Sequence, residues 1–230
     1  WAFTSSVERI KIEGKFTDKL FDRISSFSKG NVLIIEFQYF KKYPLKKVAS
    51  KYVSSKALFL LSEEIYSRFF LRKTQIKNKA IIKEIEASLK CSVNADAIVK
   101  KNLAQYRMMK FWLKILPNPK YVFLTVSYNH YGYIRAFKES GIQVVEFQHG
   151  VISANHQAYN YIAQLEPIQF PDVISVFGEN EKTYLNEQSN MPIQYAHVIG
   201  RSIIDHYYSL AKENETIVSK GSFTTCKKRQ

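Results

Sequence analysis

The chain has 230 residues, of which 46% are hydrophobic and 23% are charged. This composition excludes an intrinsically disordered protein and supplies enough apolar side chains for a substantial core. Two cysteines, Cys91 and Cys226, are too few for a disulfide scaffold, and no apolar run approaches the roughly 20 residues of a membrane-spanning helix. Because no signal peptide is visible, we expect a cytoplasmic protein.

Positive charge is concentrated in the first part of the chain. The formal net charge is +14, and residues 1–150 hold 27 Lys and Arg against 12 Asp and Glu, whereas residues 151–200 hold only Lys182 against five acids. The densest basic run extends from Lys41 to Lys47. This distribution predicts an anionic partner, either a membrane surface, an anionic lipid-linked substrate or nucleic acid, with a solvated basic face as the alternative.

The first half of the chain contains one clear strand and two clear helices. The apolar run from Asn31 to Phe37 predicts a strand that is buried on both faces. Residues 56–72 predict a helix that ends in basic side chains. The longest predicted helix extends from Asp96 to Leu116, where apolar residues recur every three or four positions until Pro117.

The second half alternates strands with helices. Such alternation predicts an α/β fold, a Rossmann-like parallel sheet with helices on both faces. We expect one domain over residues 1–200 and a linker or truncated tail over residues 201–230. The predicted elements are strands at Tyr121–Val126, Ile142–Phe147, Asp172–Phe177 and Tyr195–Gly200, and helices at Tyr131–Ser140 and Glu179–Gln188.

Polar side chains follow two of these strands at the point where each strand ends. In open α/β sheets, ligands bind outside the carboxyl ends of the strands. His149 stands beside Gly150 at such an end, and imidazole is well suited to take a proton from a sugar hydroxyl near neutral pH. His197, inside a predicted strand, is expected to be a core residue. The strand ends deliver Ser127, Tyr128, Asn129, His130, Gln148, His149 and Gly150, followed by Ser153, His156 and Tyr159.

Several familiar motifs are missing from the sequence. It contains no Gly-x-Gly-x-x-Gly motif, no P-loop, no Gly-x-Ser-x-Gly elbow and no Cys/His cluster with zinc spacing. No recognisable nucleic-acid-binding module accompanies the basic residues. We therefore expect no metal, no cofactor and no specific nucleic-acid partner.

A set of short motifs occurs in a characteristic order between Tyr121 and Asp205. The motifs are Ser127-Tyr128-Asn129 after a strand, Val145 to Ser153 with Gln148-His149-Gly150 inside it, His156-x-x-Tyr159, Phe170-Pro171-Asp172, a strand ending Phe177-Gly178, and Val198-Ile199-Gly200. This third of the chain resembles bacterial surface-polysaccharide glycosyltransferases of the two-Rossmann-domain (GT-B) type. The Gln-His-Gly element is also similar to the His-Gly of polyol-phosphate polymerases that make teichoic acids.

The resemblance implies roles for individual residues. In such families the histidine lies in the interdomain cleft and is implicated in catalysis, so His149 would be the catalytic residue. The nucleotide-sugar donor is bound mainly by the second Rossmann domain, and only 30 residues follow Gly200. We therefore expect this chain to be the first domain of a GT-B arrangement, with the second domain and most of the donor site absent and little activity on its own. The implied substrate-binding residues are Tyr128, Asn129, Gln148, Gly150, Ser153, His156 and Tyr159.

The leading hypothesis is a glycosyltransferase, or a fragment of one, that builds capsule or lipopolysaccharide. It would transfer a sugar from a nucleotide-sugar donor to a growing polysaccharide or lipid-linked acceptor, as a peripheral protein at the inner face of the cell membrane. The donor sugar is left open. The alternatives are a polyol-phosphate transferase of the teichoic-acid type and a non-catalytic basic module that binds membranes or nucleic acid.

Overall fold

The structure is a computed structural model that describes residues 1–5, 9–22, 25, 31–37, 45–71, 76–161, 165–201, 204, 207–208 and 211–212. Residues 41–44 of the basic run, Asp205, and residues 213–230 of the predicted tail lie outside these ranges.

The strands are β1 Ala2–Ser5, β2 Arg9–Ile12, β3 Lys15–Asp18, β4 Leu33–Phe37, β5 Tyr52–Ser55, β6 Tyr121–Leu124, β7 Gln143–Phe147, β8 Val173–Val176 and β9 Tyr195–Val198. The α-helices are α1 Ala57–Phe70, α2 Lys79–Leu89, α3 Ala95–Ile115, α4 Tyr131–Lys138 and α5 Glu179–Glu187, with single 3-10 turns at Leu45–Lys47, Gln157–Tyr159 and Pro167–Gln169.

Seven strands form one parallel sheet in the order β5-β4-β1-β6-β7-β8-β9. Every neighbouring pair in this sheet is parallel, and β2 and β3 form a separate antiparallel hairpin. β1 is the third strand from the β5 edge, with β4 and β5 on one side of it and β6 to β9 on the other. The fold is therefore α/β and Rossmann-like in general, as the alternating pattern predicted.

Helices cover one face of the sheet, where the buried apolar side chains form two clusters. Phe59 of α1, Met109 and Leu113 of α3, and Phe137 of α4 pack with Phe3 and the other strand residues that point to this face. Leu185 of α5 packs in the same way on Ile174 and Val176 of β8. Most of these side chains are completely buried, so this layer is the main source of hydrophobic stabilisation.

The opposite face is covered by the segment between β3 and β4. Phe21 is buried there against Ala2, Ile34 and Phe147. Phe21, Asp22 and Ser25 are helical in this segment, so helical backbone lies on both faces of the sheet.

A buried ion network joins the β2–β3 hairpin to the sheet. The guanidinium of Arg9 donates from Nε to Glu36 Oε1 at 2.9 Å and from Nη1 to Asp22 Oδ2 at 3.0 Å. Its Nη2 donates to Ser50 Oγ at 2.9 Å. Thr4 of β1 donates to Asp18 at 2.9 Å, and burial raises the pKa of the Asp18 carboxyl. Because these charges are paired inside the protein, removing one partner would leave another buried and uncompensated.

The elements that were predicted are confirmed, with bounds within two residues of the expected ones at each end. Five strands and helices in the described part of the chain were not predicted: β1, β2, β3, β5 and α2. The expectation for His197 is wrong, because β9 is the edge strand of the sheet and the His197 side chain is exposed to solvent. No helix among the described residues is both long enough and apolar enough to cross a bilayer.

Candidate functional site

The topology of the sheet indicates where a ligand would bind. Strand order reverses at β1, because β4 and β5 lie on one side of it and β6 to β9 on the other. In doubly wound sheets, the crevice at such a switch point opens at the carboxyl ends of the two central strands. Here that edge is formed by the ends of β1 and β6, with the end of β7 next to them.

The turn after β6 is fixed by backbone hydrogen bonds. The N–H groups of Asn129 and His130 donate to the Ser127 carbonyl at 3.0 and 2.8 Å. The Gln105 amide of α3 donates to the Asn129 carbonyl at 2.9 Å and holds the turn from the helix side. As a result the Tyr128 side chain is half-buried at the edge of the sheet, and the Asn129 side chain is exposed.

The loop after β7 is held by Gln148. Its Oε1 accepts a hydrogen bond from Phe177 N at 2.6 Å, and its Nε2 donates to the Gly150 carbonyl at 2.8 Å. The side chain is only 1% exposed, and its backbone N–H donates to Ser175 O at 2.8 Å. The amide is thus hydrogen-bonded on both sides by backbone, and these bonds hold the loop on β8.

Gly150 has open space around it. A Cβ placed on Gly150 would meet no atom within 4 Å, and its φ lies outside the left-handed region. The fold therefore does not require glycine at this position.

Four aromatic and imidazole rings meet at this edge, and we refer to Tyr128, His149, His156 and Tyr159 as the ring cluster. The Tyr128 ring centroid lies 6.3 Å from that of His149 and 6.4 Å from that of His156. The His156 ring in turn lies 4.9 Å from Tyr159. Tyr128 therefore stands between the two predicted histidines, which are seven positions apart in the sequence.

A buried carboxyl group is hydrogen-bonded to one member of the ring cluster. Glu146 of β7 is completely buried and accepts a 2.7 Å hydrogen bond from the Tyr159 hydroxyl. Burial raises the pKa of Glu146 to about 7, against the opposing effect of Ser127 and Tyr159. Glu146 thus anchors the loop residue Tyr159 to β7. No role was predicted for Glu146. Its place inside the apolar run Ile142–Phe147 is the sequence signal that could have indicated one.

The segment from Ser153 to Asn160 is braced by side-chain hydrogen bonds. Asn160 Nδ2 donates to the carbonyls of Ser153 and His156 at 2.9 and 2.8 Å, and Asn160 Oδ1 accepts from the Tyr184 hydroxyl. The His156 ring accepts from Ala158 N at 3.3 Å, so this histidine also caps the following turn. These bonds keep His156 facing Tyr128.

Ser153 belongs to a different depression from the ring cluster. It lines a pocket of about 520 Å³ between the loop after β7 and helix α5. The structure thus brings together Tyr128, His149, His156 and Tyr159 of the predicted residues, and leaves Ser153 beside α5. The other residues that line this pocket include Ile152, Asn180, Glu181 and Tyr184.

A lysine and a histidine form a second polar pair at the same edge of the sheet. Lys56, which follows β5, places Nζ 2.6 Å from Nε2 of His130. The other ring nitrogen of His130 lies 2.8 Å from the Val126 carbonyl, so Nδ1 carries the proton and Nε2 accepts from the lysine. Burial and the neighbouring Lys56 charge lower the pKa of His130 to about 3, and burial lowers that of Lys56 to about 8.

The Lys56–His130 pair packs against a tyrosine ring, and the hydroxyl of that tyrosine binds an acid. The His130 ring stacks on Tyr133 at 5.6 Å, and Lys56 Nζ lies 5.4 Å above the same tyrosine ring. The Tyr133 hydroxyl donates to Glu63, whose pKa is raised to about 7 by burial. His130 directly precedes α4, but its side chain makes no capping bond to that helix. The contact between His130 and Lys56 could not be predicted from the sequence, because the two residues are 74 positions apart.

No protein-family model, curated protein or solved structure matches this chain. The part of the chain that the structure describes also holds no group of three or more His, Cys, Asp or Glu side chains arranged to bind a metal ion. The function therefore has to be argued from the ring cluster and its surroundings.

Proposed function

We propose that this chain is the acceptor-binding Rossmann-like domain of a GT-B-type glycosyltransferase, with His149 as the catalytic residue. One observation carries the proposal: His149 and Tyr128 meet at the carboxyl edge of a doubly wound sheet, next to its switch point. This is the edge at which such a sheet binds ligands, and imidazole is the side-chain group best suited to general-base catalysis near neutral pH.

The proposed reaction is the transfer of a glycosyl group. The acceptor hydroxyl attacks the anomeric carbon of the nucleotide sugar, and a new carbon–oxygen bond forms as the bond to the nucleotide phosphate breaks. His149 takes the hydroxyl proton, and the nucleotide leaves with the electron pair of the broken bond. A positioned general base of this kind typically contributes about a hundredfold or more to the rate.

The neighbours of His149 suit a carbohydrate acceptor. The rings of Tyr128 and His156 offer flat apolar faces, while the exposed side chain of Asn129 can hydrogen-bond to hydroxyl groups. Gly150 has open space around it. Buried Gln148 and Tyr159 act as positioning residues, because their polar groups are engaged by the protein.

The proposed function also implies particular partners and a particular location in the cell. The donor is a nucleotide sugar held mainly by a second Rossmann domain, and the acceptor is a glycan or a lipid-linked glycan at the inner face of the cell membrane. The excess of basic residues in residues 1–150 supports an anionic surface or substrate.

Nucleotide release by the complete gene product tests this function. The donors are a panel of nucleotide sugars together with nucleotide-linked polyols, and the acceptors are lipid extracts and short glycans. His149→Ala should lower turnover about a hundredfold or more. His197→Ala is the matched control, because it removes an exposed histidine on β9 outside the ring cluster.

The panel also separates the alternatives. Release from nucleotide polyols alone would identify a polyol-phosphate transferase that uses the same histidine. Near-normal turnover in His149→Ala would remove His149 from the mechanism. If no donor in the panel is turned over with any acceptor, the transferase proposal is wrong.

A further inference from the structure

Lys56 and His130 bring two helix N-termini together at the carboxyl edge of the sheet. Lys56 directly precedes α1 and His130 directly precedes α4, and neither side chain caps its own helix. Lys56 Nζ instead lies 2.6 Å from His130 Nε2. In the sheet, β4 and β1 lie between the two strands that lead to these residues, so the pair is placed beside the switch point.

The positive charge of Lys56 is not neutralised by the described part of the chain. Its side chain is half-buried, yet it forms no salt bridge with any residue that the structure describes. Glu63 is the acid whose charge acts on Lys56, but it accepts the Tyr133 hydroxyl, and burial raises its pKa to about 7. Glu63 is therefore only partly charged at neutral pH. A cation withdrawn from water without a fully charged partner is unfavourable, and a bound anion would remove that cost.

A second lysine adds positive charge at the same place. Lys101 of α3 lies near enough for its charge to lower the pKa of both Lys56 and His130, although burial has the larger effect on each. Lys101 is exposed and likewise forms no salt bridge with a described residue. The N-termini of α1 and α4 contribute the partial positive charge of two helix dipoles and N–H groups that have no partner within their helices.

We propose that Lys56 and Lys101 bind a phosphate group between the N-termini of α1 and α4. A phosphate ester carries nearly two negative charges and several acceptor oxygens, so lysines from two helices and helix N–H groups can bind it together. The group can belong to a nucleotide or to a lipid phosphate, because both present the same chemistry. The site goes beyond the proposed transfer of a sugar and does not depend on it.

An NMR titration of the chain with inorganic phosphate tests the site. The backbone amide signals of Leu58 and Tyr131, which lie in the first turns of α1 and α4, should shift until the site is saturated. Lys56→Gln should raise the Kd for phosphate about tenfold or more, because it removes a charged hydrogen-bond donor. Its amide group can still donate to His130, so thermal unfolding should show an intact fold.

Two exposed lysines of α3 provide a matched comparison. Lys101→Gln and Lys114→Gln remove the same charge from the same helix, and both side chains are exposed, so neither change should affect folding. Lys101→Gln should raise the Kd for phosphate about threefold or more, whereas Lys114→Gln should leave it within about twofold of the wild type.

Two further ligands distinguish the possible sources of the phosphate. Uridine diphosphate represents a nucleotide, and geranyl phosphate represents a lipid phosphate. Whichever source is the natural one should bind more tightly than inorganic phosphate, and Lys56→Gln should weaken its binding by a similar factor.

Three results would overturn the proposal. The first is a wild-type chain that binds none of the three phosphate compounds, and the second is binding that Lys56→Gln leaves unchanged. The third is an equal loss in Lys101→Gln and Lys114→Gln, since phosphate would then respond only to overall charge. His149→Ala should bind inorganic phosphate like the wild type, so a failure of this site can be distinguished from a failure of the transferase proposal.

Discussion

The Tyr159 hydroxyl and the Glu146 carboxyl are joined by a 2.7 Å hydrogen bond inside the carboxyl edge of the sheet. The bond connects a loop residue of the ring cluster to a strand residue that water does not reach. Tyr159 in turn packs against His156, which lies beside Tyr128. The geometry around His149 is therefore supported by an acid whose protonation state changes near neutral pH.

The first prediction concerns Glu146 and pH. Burial raises its pKa from 4.5 to about 7, so the folded protein holds a proton that the unfolded chain releases. This contribution to stability is fully present below pH 4.5 and is lost as the pH rises through 7. Glu146→Gln keeps an acceptor for Tyr159 and cannot ionise. We expect it to match the wild type at pH 5 and to exceed it by up to about 3 kcal/mol at pH 8.

Urea unfolding at the two pH values measures this difference. Glu187→Gln on the exposed side of α5 is the control, and it should show no such pH-dependent gain. Equal destabilisation of Glu146→Gln at both pH values would mean that the carboxyl is not a buried titrating group.

The second prediction concerns His130. Burial and the Lys56 charge lower its pKa to about 3, so its imidazole should stay neutral throughout the range in which histidines ordinarily titrate. Two-dimensional NMR of the ring nitrogens should show no change for His130 between pH 7 and pH 5, where Lys56 stays charged, with Nδ1 protonated and Nε2 not. His130→Asn would identify the signals. A midpoint near pH 6.5 would show that the Lys56–His130 pair does not exist in solution.

The third prediction contrasts two glycines. A Cβ on Gly132 of α4 would lie 2.6 Å from Gln105 Cβ of α3, whereas a Cβ on Gly150 would meet nothing within 4 Å. Gly132→Ala should therefore destabilise the protein by about 3 kcal/mol through overpacking of two helices. Gly150→Ala should leave stability within about 0.5 kcal/mol of the wild type.

The two glycine variants are compared by thermal unfolding. If the open space at Gly150 admits an acceptor, Gly150→Ala should also reduce turnover while the fold stays intact. Unchanged turnover would place the acceptor elsewhere. A stable Gly132→Ala protein would contradict the close packing of α3 on α4.

The sequence was informative where the elements were long or completely buried. Helix α3 and strands β6, β7 and β8 were predicted because their apolar residues repeat or run together. Strand β5, by contrast, has only four residues, of which two are serines, and its place in the sheet is decided by pairing with β4. Helix α2 could also have been predicted from the sequence, because Ile81, Ile85 and Leu89 recur at a helical spacing of four.

The candidate site was predictable in part for a similar reason. His149 and Tyr128 were expected at the carboxyl edge because they directly follow buried strands. The roles of Gln148 and Tyr159 could not be predicted, because a polar side chain that contacts a substrate and one that braces a loop look the same in sequence. The contact between Lys56 and His130 could not be predicted from the sequence, because it depends on the parallel sheet that brings the ends of β5 and β6 to the same edge.

The position of β1 between β4 and β6 matters while the ribosome is still synthesising the chain. Ala2 of β1 pairs with Ile34 on one side and with Phe123 on the other. A ribosome adds about 5–20 residues per second, so β1 waits several seconds or more for β6 to be made. During that time one side of β1 is an open strand edge, which is prone to pair with other chains. We therefore expect nascent chains stalled between β5 and β6 to be the form that chaperones bind most readily.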